Sequence, residues 1–180
     1  MSYTIRPALP ADASGIAHVA RVTWNATYER SIAAHNRRQF LARAYGLEAV
    51  RATIEREPDW FYVAAYAQKV VGFAQYLRRF DGDGELVRIY VQPDHQRQGI
   101  GRAFLKRGLA ALAAAGIGQC YVSVELDNSP ARAFYERFGF RLRREYGRFL
   151  GDQIIRLAEY SAPVTRLLDI LDRDDERQSP

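Results

Sequence analysis

The chain has almost no sulfur, almost no lysine and no long apolar run. Cys120 is the one cysteine in 180 residues, so neither an internal disulfide nor a cysteine-ligated metal cluster can form. The histidines His18, His35 and His95 lack ligand-like spacing, which speaks against a zinc site and against a histidine base. No stretch of about 18 apolar residues occurs, so no transmembrane helix is expected. The opening MSYTIRPALPAD lacks the apolar stretch of a secretory signal. Together these absences indicate a cytoplasmic, reduced protein with no metal and no membrane partner.

Lys69 and Lys106 are the only lysines among 26 basic residues, and the net charge is +5. The arginines scatter among 21 acidic residues, with their densest group over residues 132–148. No helix-turn-helix, zinc-finger or RNA-binding aromatic signature accompanies them, so nucleic acid is not the expected partner. A basic surface equally suits a polyanionic cofactor. The length fits one domain, placed at residues 1–162, and 48% hydrophobic content can fill its core. Residues 163–180 read as a short helix and a polar tail, partly disordered.

The organising stretch is residues 86–101, LVRIYVQPDHQRQGIG. Its β-branched run reads as a buried strand, and Gly99 and Gly101 stand at the mouth of a helical pattern through Phe104, Leu105, Leu109 and Leu112. Glycine lets backbone N–H groups converge on one ligand group, and the helix dipole adds positive charge there, so an anion such as a pyrophosphate fits. The loop is neither a dinucleotide fingerprint, since Phe104 replaces the third glycine, nor a P-loop, since Gly-Lys-Ser/Thr is absent.

Around this unit the sequence predicts a strand at residues 3–6 and a helix capped by Asp12 that carries Ile16, Val19, Ala20, Thr23, Trp24 and Tyr28 on one face. A helical region over residues 36–57, broken near Gly46, follows. Residues 61–65, 70–76 and 85–91 read as an antiparallel meander, with the turn Asp81-Gly82-Asp83-Gly84 between its last two strands. That turn lacks the later ligands of a calcium loop. A strand at 120–124 after the Gly99 helix completes a βαβ unit, which places a parallel pair at the centre of the sheet. Ser129 can cap a short helix, with Pro130 at its first position and Gly139 at its end, and strands at 140–146 and 152–159 close the pattern.

The tract Gln96-Arg97-Gln98-Gly99-Ile100-Gly101 resembles the Arg/Gln-x-x-Gly-x-Gly/Ala signature of the GNAT superfamily of acyl-CoA-dependent N-acyltransferases. NSPARAFYERFGF at residues 128–140 resembles that family's Asn-x-x-Ala-x-x-x-Tyr-x-x-x-Gly-Phe pattern at every fixed position. The resemblance spans about residues 3–160. It implies an α/β fold, with a mixed, mostly antiparallel sheet splayed at its parallel pair and flanked by helices. Acetyl-CoA is implied as co-substrate. Its pantetheine arm would bond to the backbone of Ile89, Tyr90 and Val91, and its pyrophosphate to Gln96, Arg97, Gln98, Gly99, Ile100, Gly101 and Arg102. Asn128 and Ala131 would also adjoin the cofactor, although Asn128 reads equally as a capping residue.

By the same resemblance Tyr135 is the general acid that protonates the leaving thiolate; on its own it is an apolar-stripe residue. A phenol with a pKa of about 10 matches such a leaving group. Glu85 is the candidate base, with a solvated hairpin charge and a water-mediated route as the alternatives. Cys120 has no thiolate-stabilising neighbour and reads as a small hydrophobe. Trp24, Tyr28 and Tyr76, with Tyr45, are candidate walls for the acceptor. Glu29, Asp81, Asp83 and Glu85 would suit a cationic amine. The expected activity is transfer of acetyl to a primary amine of a small molecule or a protein, by a monomer or homodimer. A non-catalytic acyl-CoA-binding module on the same fold is the alternative.

Overall fold

Alternation along the strands sets the layers of the computed structural model, which describes residues 3–56 and 58–178. The strands β1 (Thr4–Pro7), β2 (Phe61–Tyr66), β3 (Lys69–Arg78), β4 (Gly84–Val91), β5 (Gln119–Glu125), β6 (Arg141–Leu150) and β7 (Gln153–Pro163) form one sheet. Its order is β1-β2-β3-β4-β5-β7-β6. Every neighbouring pair is antiparallel except β4 and β5. The helices are α1 (Ala13–Tyr28), α2 (Ala34–Tyr45), α3 (Leu47–Arg56), α4 (Ile100–Ala114), α5 (Ser129–Arg137) and α6 (Val164–Gln178).

On one face, Phe61, Val63 and Phe73 pack with Ile16, Val19, Tyr45, Val50 and Ile54 of α1–α3. On the other, Tyr62, Ala64, Ala74, Tyr76 and Leu86 pack with residues of α4, α5 and α6, among them Phe104, Leu109, Tyr135 and Leu167. The period-2 pattern of the strands thus feeds two separate cores. Extended backbone at Gly46 separates α2 from α3 where the sequence placed a break.

The parallel pair is short. β4 and β5 are in register only at Gly84↔Cys120, Glu85↔Tyr121 and Leu86↔Val122. Immediately beyond, β3 and β4 lose register, so that Gln75 faces Arg88, Tyr76 faces Leu86, and Val87 has no partner. An extra residue bends and twists a strand. Past this bulge β4 and β5 part, and the β4 edge over residues 87–91 lies open towards β5.

Three local expectations need correction. Asp12 stands at the N-cap position of α1 but makes no side-chain cap bond there, because it also ends a single 3-10 turn, Pro10–Asp12. Its carboxylate instead accepts from Leu9 N at 2.8 Å and pairs with Arg6 at 2.7 Å. Burial pushes this carboxyl up, but the bonds from Arg6 and Leu9 outweigh it and hold it below its ordinary value. The cap of α5 is Asn128, not Ser129: its side chain accepts from Ala131 N at 3.2 Å. The polar tail is helical, with α6 running through Gln178. Val164, Leu167 and Leu171 lie in the same core as α4, so residues 163–178 are part of one folded unit. Arg102 pairs with Asp174 and Asp175, and Lys106 with Asp172 and Asp175, which anchors the acidic end.

Candidate active site

The loop between β4 and α4 is braced by its own side chains. Gln96 Nε2 donates to Val91 O at 2.9 Å, Gln98 Nε2 donates to Asp94 O at 3.1 Å, and the Tyr3 hydroxyl donates to Gln98 Oε1. Arg97 and Gly99 take left-handed φ values of 60° and 84°. A Cβ on Gly99 would meet nothing within 4 Å, so conformation, not space, calls for glycine there. Gly101 is different: a Cβ there would come 3.3 Å from the Phe134 ring, so its absence lets α4 settle on α5.

Ala103 N is the first helical donor to find a partner, Gly99 O at 2.9 Å. The N–H groups of Gly99, Ile100, Gly101 and Arg102 therefore have no partner within the helix and point out of its positive end. The Arg102 side chain does not join them. It turns away to Asp174, Asp175 and the carbonyl of Leu171. What the loop offers an anion is backbone.

Below the loop, the open β4 edge presents the backbone of Ile89 and Val91, with Val91 O already accepting from Gln96, whereas the Tyr90 carbonyl is turned towards Gly72 of β3. Their side chains alternate across the sheet: Tyr90 packs with the α1–α3 core, and Ile89 and Val91 with the α4 core. Tyr135 of α5 is 5% exposed, its ring edge-on to Phe134 at 5.4 Å and to Phe140 at 5.6 Å. Burial, with the electrostatic influence of Tyr90 and Cys120, pushes its phenol far above the ordinary value. It therefore holds its proton throughout the physiological range. Cys120 is fully buried and its thiol is pushed up to about 12 by that burial, so it supplies no nucleophile.

Across the sheet, Trp24, Tyr28, Ile32 and Leu150 form a third cluster against Phe40, Leu41, Tyr90 and Ile155. Trp24 stacks on Phe40 at 4.3 Å and lies 4.7 Å from Tyr28. The buried Trp24 Nε1 donor lies in range of the Tyr90 and Tyr45 hydroxyls but completes no hydrogen bond of good geometry. Arg88 lies 4.8 Å over the Tyr45 ring. The tip of the β6–β7 hairpin closes this cluster: Gln153 accepts from Ala33 N at 3.0 Å and donates to Ser31 O at 2.7 Å.

Trp24, Tyr28 and Tyr45 come together around Phe40 and Tyr90, and Tyr76 lies apart from them. Tyr76 is 1% exposed under α4, where its hydroxyl donates to Phe104 O at 3.3 Å, so it is a core residue. Glu85 lies where β4 and β5 still pair, in a shallow polar depression with Arg79, Ser123, Arg144, Tyr146 and Glu159. Burial raises its pKa. Asp81 is taken up by Arg79 at 3.2 Å, Glu29 is exposed at the end of α1, and Asp83 N donates to Asp81 Oδ1 within the turn. Asn128 uses its side-chain oxygen as the α5 cap and lies in hydrogen-bonding range of the Tyr28 hydroxyl.

Sequence reasoning missed Glu125, Ser31 and Gln153. Only Glu125 left a signal: it continues the alternation Tyr121, Ser123 on the face opposite Cys120, Val122 and Val124. Among the described residues no group of His, Cys, Asp or Glu could hold a metal ion. No described helix is long and apolar enough to cross a membrane.

Comparison with known proteins gives these folds and motifs a context. The model of the acetyltransferase (GNAT) family matches residues 22–140. A spermidine N(1)-acetyltransferase of Thermoplasma acidophilum is 27% identical over 146 residues, covering 79% of this chain and 90% of the relative. A mycothiol acetyltransferase of Actinosynnema mirum is 33% identical over 93 residues, or 48% of this chain; the match spans only 31% of that longer protein. Among solved structures, the PaiA N-acetyltransferase of Thermoplasma acidophilum in complex with coenzyme A superposes with a TM-score of 0.75 at 23% identity. That superposition covers 88% of this chain and 98% of the other.

Proposed function

The chain belongs to the acetyltransferase (GNAT) family, and from that we propose that it moves acetyl from acetyl-CoA directly to a primary amine. Three features support this reading. The N–H groups of residues 99–102 have no partner within α4, the β4 edge past Leu86 has no β5 partner, and the buried Tyr135 phenol shares a core with Ile89 and Val91 of that edge. A diphosphate would rest on the helix N-terminus. A pantetheine arm running along residues 89–91 would bond to the outward-facing backbone of Ile89 and Val91, as an extended strand adds to a sheet. The thioester would then lie beside Tyr135.

In this reading a backbone N–H of the β4 edge stabilises the tetrahedral oxyanion, where fixed dipoles contribute most. Tyr135 gives its proton to the departing thiolate. The burial that holds the proton on Tyr135 also makes it a weaker acid, so the transfer depends on the thiolate charge developing beside it. Direct attack is favoured because the one thiol is buried and protonated. A reducing, cytoplasmic setting fits the single buried Cys120.

The experiment is thiol release from acetyl-CoA over polyamines, aminoglycosides, amino acids and peptide amines, with Tyr135→Phe alongside. Turnover is expected to fall about 100-fold or more in the variant, while acetyl-CoA still raises the melting temperature of both proteins. A thermal shift with no turnover of any amine would leave an acyl-CoA-binding module. No thermal shift would remove the cofactor cleft.

A further inference from the structure

Glu125 is a buried carboxylate with no cation. It ends β5 just past the point where β4 and β5 separate, and it is 9% exposed. Elsewhere this arginine-rich chain pairs its sunken acids. Asp12 has Arg6, and Glu159, two positions back along the same polar face and across on β7, has both Arg79 and Arg144. Among the described residues no Arg, Lys or His forms an ion pair with Glu125. The groups facing it are the Ser31 hydroxyl from the α1–α2 connection, Asp127 from the following turn and the Tyr28 phenol from α1. The Ser31 Oγ is itself buried and completes no hydrogen bond of good geometry. A carboxylate withdrawn from water in this way either stays protonated or waits for a positive partner.

The surroundings define that partner. Tyr28 joins the site to the cluster of Trp24, Ile32, Leu150, Phe40 and Ile155, whose walls are aromatic and aliphatic. The clasp of Gln153 on Ser31 and Ala33 narrows the approach. A slender methylene arm tipped by an ammonium satisfies every surface: carboxylate for charge, rings for a cation, aliphatic wall for the arm. We propose that Glu125 binds the ammonium of an unbranched alkylamine acceptor and takes its proton before acetyl transfer. This rests on reading the cleft as an acyl-transfer site. Glu85 is a separate carboxylate: it stands level with Tyr121, four residues down β5 from Glu125, or about 13 Å at strand rise.

The protons balance as follows. The ammonium gives one proton to Glu125, and the free amine attacks the thioester carbonyl. The C–N bond forms, the C–S bond breaks, and the sulfur leaves with its electron pair and takes the Tyr135 proton. The second proton on nitrogen restores Tyr135, and Glu125 releases its own to water. The products are one amide, one thiol and one proton.

Two measurements on the full chain test this. In protein labelled with 13C at glutamate Cδ, n-butylammonium is expected to move one carboxyl resonance that is missing in Glu125→Gln, and n-butanol to leave it in place. In turnover with spermidine and with Nα-acetyl-lysine methylamide, Glu125→Gln is expected to lose about 100-fold in kcat/KM for the amine. It is also expected to lose the acidic limb of the pH profile, with KM for acetyl-CoA unchanged. Loss of both in Glu85→Gln and of neither in Glu125→Gln overturns the proposal. Which acceptor turns over separates a polyamine end from a lysine side chain. A butylammonium effect on another resonance, or none, overturns the proposal, as does an alanyl peptide amine that moves Glu125 where butylammonium does not. Failure of acetyl-CoA to raise the melting temperature of the wild-type chain strikes the acyl-transfer reading instead, and the labelled carboxyl still reports on Glu125.

Discussion

The two halves of the sheet are built on different terms. β3 lies between two cores, with Phe73 on one side and Tyr76 on the other, both 1% exposed or less. β6 is exposed along nearly its whole length and carries Arg141, Arg143, Arg144 and Arg148. The first half is sealed by helices on both faces. The second is covered on one face by α5 and α6, and on the other it leaves a polar depression open to solvent. Stability is concentrated in the sealed half, and the open half is free to carry polar groups that packing does not require. The cleft lies on the border, where rigid walls and accessible polar atoms meet.

Substitutions can break that contrast or sharpen it. The largest stability loss is expected from Leu109→Ala, since Leu109 is fully buried beneath the sealed half. Chemical denaturation should register about 2–5 kcal/mol for the lost contacts and cavity. Asp175→Asn should have an intermediate effect that depends on pH. Arg102, then Lys106, holds Asp175 at about 2, below its ordinary 3.8. A depressed carboxylate contributes stability that is complete above the unfolded value and disappears as pH falls through the folded one. The urea midpoint of the wild-type chain should therefore drop more steeply between pH 5 and 2 than that of the variant. Smallest of all, Arg143→Ala on β6 should change stability by no more than about 0.5 kcal/mol. An equal loss at Arg143 and Leu109 would erase the distinction between the halves.

What the sequence could reveal followed how local each feature was. The strand, loop and helix around Gly99 and the run from Asn128 to Phe140 are short-range patterns, and both were legible. Tyr76 was misplaced because a strand buried on both faces has no polar side to mark direction. Ser129 and Asn128 both read as caps, because both residue types cap helices and only geometry chooses between them. The helical tail was hidden because its anchors Arg102 and Lys106 lie far away in the chain. Glu125 looked like any acid at the end of a strand. Its burial comes from the α1–α2 connection and the β6–β7 hairpin, which no window around residue 125 contains.

The seam between β4 and β5 has a mechanical consequence. Seven strands make one sheet on paper, yet only three residue pairs join its two plates at that seam. Beyond Leu86 the load between the plates has no backbone to travel through. A ligand arm bonded into the gap would act as a crossbeam, so that the groups that recognise it would also bear strain across the molecule. Occupancy of the cleft would then be felt in the stiffness of β7 and β6 as much as at the site itself.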